Sequence, residues 1–144
     1  METPTMGKVF VTAEIESLED LYVAGRGLMP PEQVRRIEVT DALVDTGATS
    51  LSIPKRLITQ LGLQPVRKQR ARTTAGVVEV QLYGAVRLTI QGRECTCDVA
   101  EVPDDCPVLI GQLPLEALDF VVDPKGQRLI GNPAHGGEHM IDLF

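Results

Sequence analysis

The 144-residue chain contains no tryptophan, and aromatic residues make up only 3% of it. Single-stranded nucleic acid is held largely by stacking on aromatic rings, so that ligand class is disfavoured at the outset. A basic surplus is missing too: fourteen Lys and Arg stand against twenty Asp and Glu, a formal charge of −6. An acidic chain repels phosphate backbones and anionic lipid, which argues against nucleic-acid and membrane partners. No apolar run approaches the roughly 18 residues of a spanning helix. The start, Met1-Glu2-Thr3-Pro4-Thr5, has neither the basic residues nor the apolar stretch of a secretory signal. Three cysteines, an odd number, do not make a disulfide framework. A reducing, cytoplasmic setting is therefore expected.

What is present suits one soluble domain spanning residues 1–144, with 43% hydrophobic residues to build a core. Ten prolines and thirteen glycines punctuate short apolar runs, the rhythm of an all-β fold. Val9, Val11, Ala13 and Ile15 alternate with polar residues as in a half-buried strand. Residues 17–35, with Gly25, Gly27 and Pro30-Pro31, lose the alternation and read as a loop, with one helical turn at most over 31–35. Ile37 and Val39 open a strand that runs into Ala42-Leu43-Val44. Short helices are expected over 54–61, which Gly62 ends, and over 113–118. Arg67, Lys68, Arg70 and Arg72 form a basic run that reads as a solvated, mobile segment. After it, Val78, Val80, Leu82, Val86, Leu88 and Ile90 share one face by alternation, with Gly84 at a natural place for a bulge. Gln91-Gly92 can turn this strand into the next.

The segment that carries chemistry is Leu43-Val44-Asp45-Thr46-Gly47-Ala48. A carboxylate directly after a buried strand is costly unless it is compensated. Thr46 supplies a hydroxyl for nearby backbone, and Gly47 permits a sharp turn and close approach of another chain. A strand-end turn in which Asp45 caps the following backbone would also explain these residues. Two further segments add to it. Val108-Leu109-Ile110-Gly111 precedes the helix at 113–118, and Thr73-Thr74-Ala75-Gly76 precedes the long alternating strand.

Taken in order, catalytic loop, hairpin, apolar-apolar-glycine and helix, the chain resembles the retroviral-type (retropepsin-like) aspartic proteases, and the small bacterial members by its Asn132-Pro133-Ala134-His135-Gly136-Gly137-Glu138 tail. The resemblance implies a single-lobe, closed-barrel acid-protease fold and an aspartic endopeptidase without a cofactor. It implies catalytic roles for Asp45, Thr46 and Gly47. Contacts to a peptide or protein substrate are implied at Ala48, Thr74, Ala75, Gly76 and Ile110, with the Thr74–Gly76 hairpin as a mobile flap. Hydrolysis without a covalent intermediate needs two carboxylates that share a proton. One chain carries one Asp-Thr-Gly, so the second Asp45 must come from a second copy in a homodimer. The strands at 9–15 and 140–144 are candidates for added interface. Gln112-Leu113-Pro114 and Thr49 depart from the retroviral pattern, so retroviral substrate rules and dimer contacts do not transfer. A catalytically silent dimerisation or peptide-binding module is the alternative.

Two metal-like patterns compete with this reading. His135-Gly136-Gly137-Glu138-His139 fits H-x-x-E-H, but its glycines and Pro133 oppose the helix that zinc binding would need. Cys95 and Cys97 read as small core residues of a strand rather than ligands. No metal site is expected.

Overall fold

The computed structural model describes residues 8–143. Along the chain lie β1 (Val9–Ser17), α1 (Leu18–Gly25), β2 (Arg36–Val44), β3 (Leu51–Pro54), α2 (Lys55–Leu61), β4 (Gln64–Thr73), β5 (Gly76–Ile90), β6 (Arg93–Val102), β7 (Leu109–Ile110), α3 (Gln112–Leu118), β8 (Phe120–Asp123) and β9 (Arg128–Gly131). Seven strands form one sheet in the order β1-β2-β7-β3-β6-β5-β4, while β8 and β9 form a separate hairpin. The large sheet closes because β1 uses both edges. It pairs antiparallel with β2, and its last residues, Glu14 to Ser17, pair with Thr89 to Val86 of β5. Six strands thus make the closed all-β barrel expected from the sequence, and β4 hangs outside it on β5 alone.

Burial follows strand parity. Val9, Ala13 and Ile15 face inward, whereas Phe10 is exposed. Leu51, Ile53, Leu88, Ile90 and Ile110 fill the barrel centre. Ile58 and Leu61 of α2 and Leu115 and Leu118 of α3 close its ends. A fully buried side chain of this size contributes about 2 kcal/mol. Both expected helices are present within a residue of their predicted starts. Pro54 serves as the N-cap of α2 rather than as its first residue, and Gly62 ends it at φ +66.

Three helices form rather than one or two, because residues 17–35 are not a plain loop. Ser17 Oγ accepts the Asp20 N–H at 3.2 Å and caps α1, with Glu19 and Asp20 in the first turn. The buried Asp20 carboxylate then takes three bonds from Arg35, from Nε at 2.8 Å, Nη2 at 2.9 Å and the backbone N–H at 3.0 Å. The guanidinium holds the Asp20 carboxyl below the usual carboxylate range against the opposing effect of burial. The excursion is therefore tied at both ends. Glu16, also buried, is matched by Arg36 and Arg87 at 3.0 and 2.8 Å.

The long alternating strand holds a second departure. Tyr83 pairs with Val99 but Val86 pairs with Cys97, so β5 carries one extra residue around Gly84-Ala85. One inserted residue exchanges the two faces of a strand. Val86, Leu88 and Ile90 point into the core, and on the other side of the bulge Tyr83 does so. Val80 and Leu82 are thereby turned away from the core. The basic run is a strand as well as a solvated segment: Arg67 to Arg72 lie in β4, paired along β5, and all but Ala71 are exposed.

Candidate active site

Asp45 stands at the end of β2, where two chain segments cross. β7 lies between β2 and β3, parallel to the first and antiparallel to the second. The Leu43 N–H donates to Val108 O at 2.8 Å and the Asp45 N–H to Ile110 O at 2.9 Å. On the other side, the N–H groups of Gly111, Gln112 and Leu113 donate to the carbonyls of Ser50, Ala48 and Thr49 at 3.0, 2.8 and 2.9 Å. The loop after Asp45 is held by backbone on both flanks.

Gly111 is what allows this approach. Its φ is an ordinary −88°, so the requirement is space. A Cβ there would lie 2.5 Å from Ser50 O, 2.7 Å from Thr49 C and 2.8 Å from Ala48 O. Any side chain would push the Asp45 loop off β7.

Within the loop, Asp45 Oδ1 accepts the Gly47 N–H at 3.0 Å, and Asp45 O accepts the Ala48 N–H at 3.1 Å. Asp45 and Ala48 are half-buried, while Thr46 and Gly47 are exposed. The Thr46 hydroxyl makes no hydrogen bond among the described residues. The carboxylate is thus oriented by its own loop and only half-buried.

Beside this loop runs a cavity of about 1160 Å³. Gly47, Ala48 and Ser50 form one wall, Asp98 and Glu101 of β6 stand on another, and β4 with β5 lies across it. The row turned outward by the bulge supplies its apolar surface: Val80 and Leu82 line it, and the directly opposed Gln69 and Arg67 line it with them. Alternation alone assigned Val80 and Leu82 to the same face as Val86. The signal that could have separated them was Gly84. At the base of the hairpin, Lys55 Nζ donates to the Tyr83 hydroxyl at 2.9 Å, which donates to Glu101 Oε1 at 2.6 Å. The Tyr83 oxygen and Glu101 raise the affinity of Lys55 for its proton. Nothing in the sequence linked these three residues.

The hairpin tip is a two-residue turn, Thr74-Ala75, between paired Thr73 and Gly76. Thr73 Oγ1 accepts the Ala75 N–H at 3.1 Å and donates to Gly76 O at 2.9 Å. Gly76 has φ +118, a backbone conformation that side chains adopt poorly, with nothing within 4 Å of where a Cβ would stand. All three tip residues are exposed and lie beyond the cavity lining.

Of the residues assigned from the sequence, the fold brings Asp45, Thr46, Gly47 and Ala48 together in one loop. Thr74, Ala75 and Gly76 share the hairpin tip. Ile110 goes elsewhere: its side chain is fully buried in the barrel, and its carbonyl fastens Asp45. The histidine pattern of the tail does not form a helix. His135 ends a short 3-10 turn, Gly136 and Gly137 follow at φ +67 and +79, and His139 Nε2 meets Ala117 O at 3.0 Å. His135 Nδ1 instead faces Asp119 Oδ2 at 2.7 Å. The strand expected at 140–144 is coil over residues 140–143, and Phe144 lies outside the described residues.

A strand-end aspartate in an Asp-Thr-Gly loop, pinned by a second apolar-glycine segment within one closed β-barrel lobe, defines a retropepsin-like domain. The family model described as "gag-polyprotein putative aspartyl protease" matches residues 36–125, and the chain belongs to that family. No match to a curated protein accompanies it. The matched span begins with β2 and ends just after β8, so it includes the Asp45 loop, the hairpin and the Gly111 crossing. No helix among the described residues is long and apolar enough to cross a membrane.

Proposed function

We propose that the protein is an aspartic endopeptidase that acts as a homodimer, with Asp45 of each copy forming the catalytic pair. The observation that carries this reading is the half-buried Asp45 carboxylate, oriented by the Gly47 N–H in a loop whose next residues, Gly47 and Ala48, line a cavity of about 1160 Å³. One carboxylate cannot be both base and acid in the same step. Two placed about 3 Å apart share one proton, the arrangement known from aspartic proteases. The ionised Asp45 takes a proton from water as the water oxygen adds to the peptide carbonyl. The protonated Asp45 gives its proton to the carbonyl oxygen. The resulting diol collapses as the C–N bond breaks: the Asp45 that took the water's proton gives it to the amine nitrogen, and the other Asp45 takes a proton from a diol hydroxyl, so the pair again shares one proton. Thr46, exposed and without a side-chain hydrogen bond among the described residues, braces the opposite loop. The hairpin at Thr74, Ala75 and Gly76 covers the bound peptide. A cytoplasmic setting suits the free thiols of Cys95, Cys97 and Cys106.

The test is cleavage of a mixed peptide library, followed by mass spectrometry, for the wild type and for Asp45→Asn, with sedimentation velocity on both. Cleavage lost in the variant, in a protein that forms a dimer of about twice 15.7 kDa, supports the proposal. Equal cleavage by the variant would sink it. Peptide binding without any cleavage by the wild type would identify a silent binding module instead.

A further inference from the structure

The outer arm of the hairpin is chemically unlike the rest of the chain. Between Gln64 and Val78 there are four basic residues, Arg67, Lys68, Arg70 and Arg72, and no acidic one, in a protein of net charge −6. Register divides them. Arg67 lies opposite Leu82, in the row that faces the cavity, while Lys68, Arg70 and Arg72 alternate with it, opposite Gln81, Glu79 and Val77; of these three, Arg70 and Arg72 still border the cavity and Lys68 does not. Lys68 Nζ approaches Glu79 at 3.9 Å. Arg67, Arg70 and Arg72 all line the cavity, and none of them has an acidic partner among the described residues. Two acids share the lining. Glu101 is already engaged by the Tyr83 hydroxyl and by Lys55 at 3.8 Å, which leaves Asp98 alone against three guanidinium groups.

We propose that this arm makes the cleft selective for peptides that carry acidic side chains, with Arg67 as the principal specificity-determining residue. The inference rests on the peptidase reading, since it names the substrate class of the same cleft. Arg67 presents a planar fork that suits a carboxylate. Val80 and Leu82 in the same wall take apolar neighbours of that carboxylate. The chain as a whole carries a net charge of −6, so the basic arm stands out against a background that on balance repels a negatively charged peptide. A peptide is favoured over a nucleic acid because no aromatic ring lines the cavity, which leaves bases nothing to stack on.

The probe is a pair of fluorescein-labelled decapeptides with an apolar centre flanked either by two Glu or by two Gln, titrated by anisotropy into Asp45→Asn protein so that nothing is cleaved. The Glu peptide should bind about tenfold more tightly at low salt, with the preference shrinking at 0.5 M salt. Adding Arg67→Gln should reduce the preference to about threefold, and Arg67→Gln/Arg70→Gln/Arg72→Gln should remove it. Lys68→Gln, outside the cavity lining, should leave the ratio as it was. A urea midpoint on each variant guards against misfolding.

Equal binding of the two peptides, or binding of neither, overturns the inference. So does a Lys68→Gln effect as large as that of the three arginines, which would make the preference one of overall charge. Displacement by a mixed-sequence oligonucleotide at concentrations below those of the peptide itself would point to nucleic acid and overturn it as well. Cleavage assays on the wild type separate the two readings. Glu and Gln peptides cut alike would leave the peptidase standing and remove the inference. Glu-selective binding without cleavage would do the reverse.

Discussion

The two regions that flank the cavity are built in opposite ways. The Asp45 loop is clamped between β7 and the start of α3, with backbone hydrogen bonds on both flanks and the core residues Val44, Leu51 and Ile110 beneath it. The hairpin beyond Leu82 is two strands and nothing more: β4 pairs only with β5, and the pairing of β6 with β5 ends at Leu82 and Ala100. Nearly every residue from Gln64 to Glu79 is exposed. A lone two-stranded ribbon is marginally stable in water. A catalytic carboxylate needs an orientation that does not drift, whereas a cover over a peptide has to open. Each region holds a glycine for a different reason. Gly111 is required by neighbours that a Cβ would strike, and Gly76 by a φ of +118 in open space.

Substitutions can break this comparison, and the largest effect is expected at the carboxylate. Asp45→Asn should lower peptide turnover by about 10³-fold or more, because the pair loses its base. Its urea midpoint should stay near that of the wild type, since Asn retains an oxygen for the Gly47 N–H. A large loss of stability would mean that Asp45 is structural.

Gly111→Ala should cost about 3 kcal/mol in urea unfolding, as three backbone atoms lie within 3 Å of the new methyl group. Activity should fall with it, because the Asp45 loop and β7 part together. A stability change under about 0.5 kcal/mol would show that the crossing can relax and is not clamped.

Gly76→Val should act on the other region and in the other way. The methyl groups meet nothing, but a β-branched residue fits a positive φ poorly. Substrate capture should weaken about tenfold, or about 1.4 kcal/mol, while the urea midpoint hardly moves. If both kinetic constants are unchanged, the hairpin does not serve as the cover. Hydrogen exchange sharpens the same contrast: the amides of Asp45 and Gly111 should outlast those of Ala75 and Gly76.

The smallest expected effect lies behind α3. Asp119, its C-cap, accepts from His135, the Met140 N–H and Asn132. His135 foremost holds the Asp119 carboxyl well below its usual range, at about 2, and Asp119 raises the His135 imidazole in return. The lowered carboxyl contributes stability that is present above its ordinary range near 3.8 and lost as the pH falls through about 2. The raised imidazole contributes stability that is full below its ordinary 6.5 and lost as the pH rises through the higher folded value. The contact should therefore be strongest between about pH 4 and 6.5. Urea midpoints of the wild type should decline from pH 6 to pH 8.5, and His135→Gln should flatten that decline. Identical slopes would remove the ion pair from the account.

Much of this was legible in the residues themselves. Alternation at Val9 to Ile15 identified a barrel strand, and Pro54 with Gly62 bracketed α2. The Asp-Thr-Gly loop after an apolar strand is a local pattern that stays local in the structure. The loop reading of residues 17–35 rested on their glycines and prolines and took no account of Ser17, whose hydroxyl caps α1. The Asp20–Arg35 contact that closes this excursion joins residues fifteen apart, and only the fold brings them together.

The sequence by itself determined most of the strands, the helices α2 and α3, the order of the motifs and the sharp turn after Asp45, because hydrophobic period, capping and turn residues act over a few positions. Tertiary structure alone decided which face each residue would serve. One extra residue at Gly84-Ala85 inverted the strand, so Leu88 entered the core while Val80 and Leu82 were turned to the cavity and carried the opposed Arg67 with them. It likewise placed Ile110 under the Asp45 loop, fully buried, and left Gly111 no room for a side chain. Alternation along one strand cannot reveal this, since inward and outward are defined only once other strands pack against it.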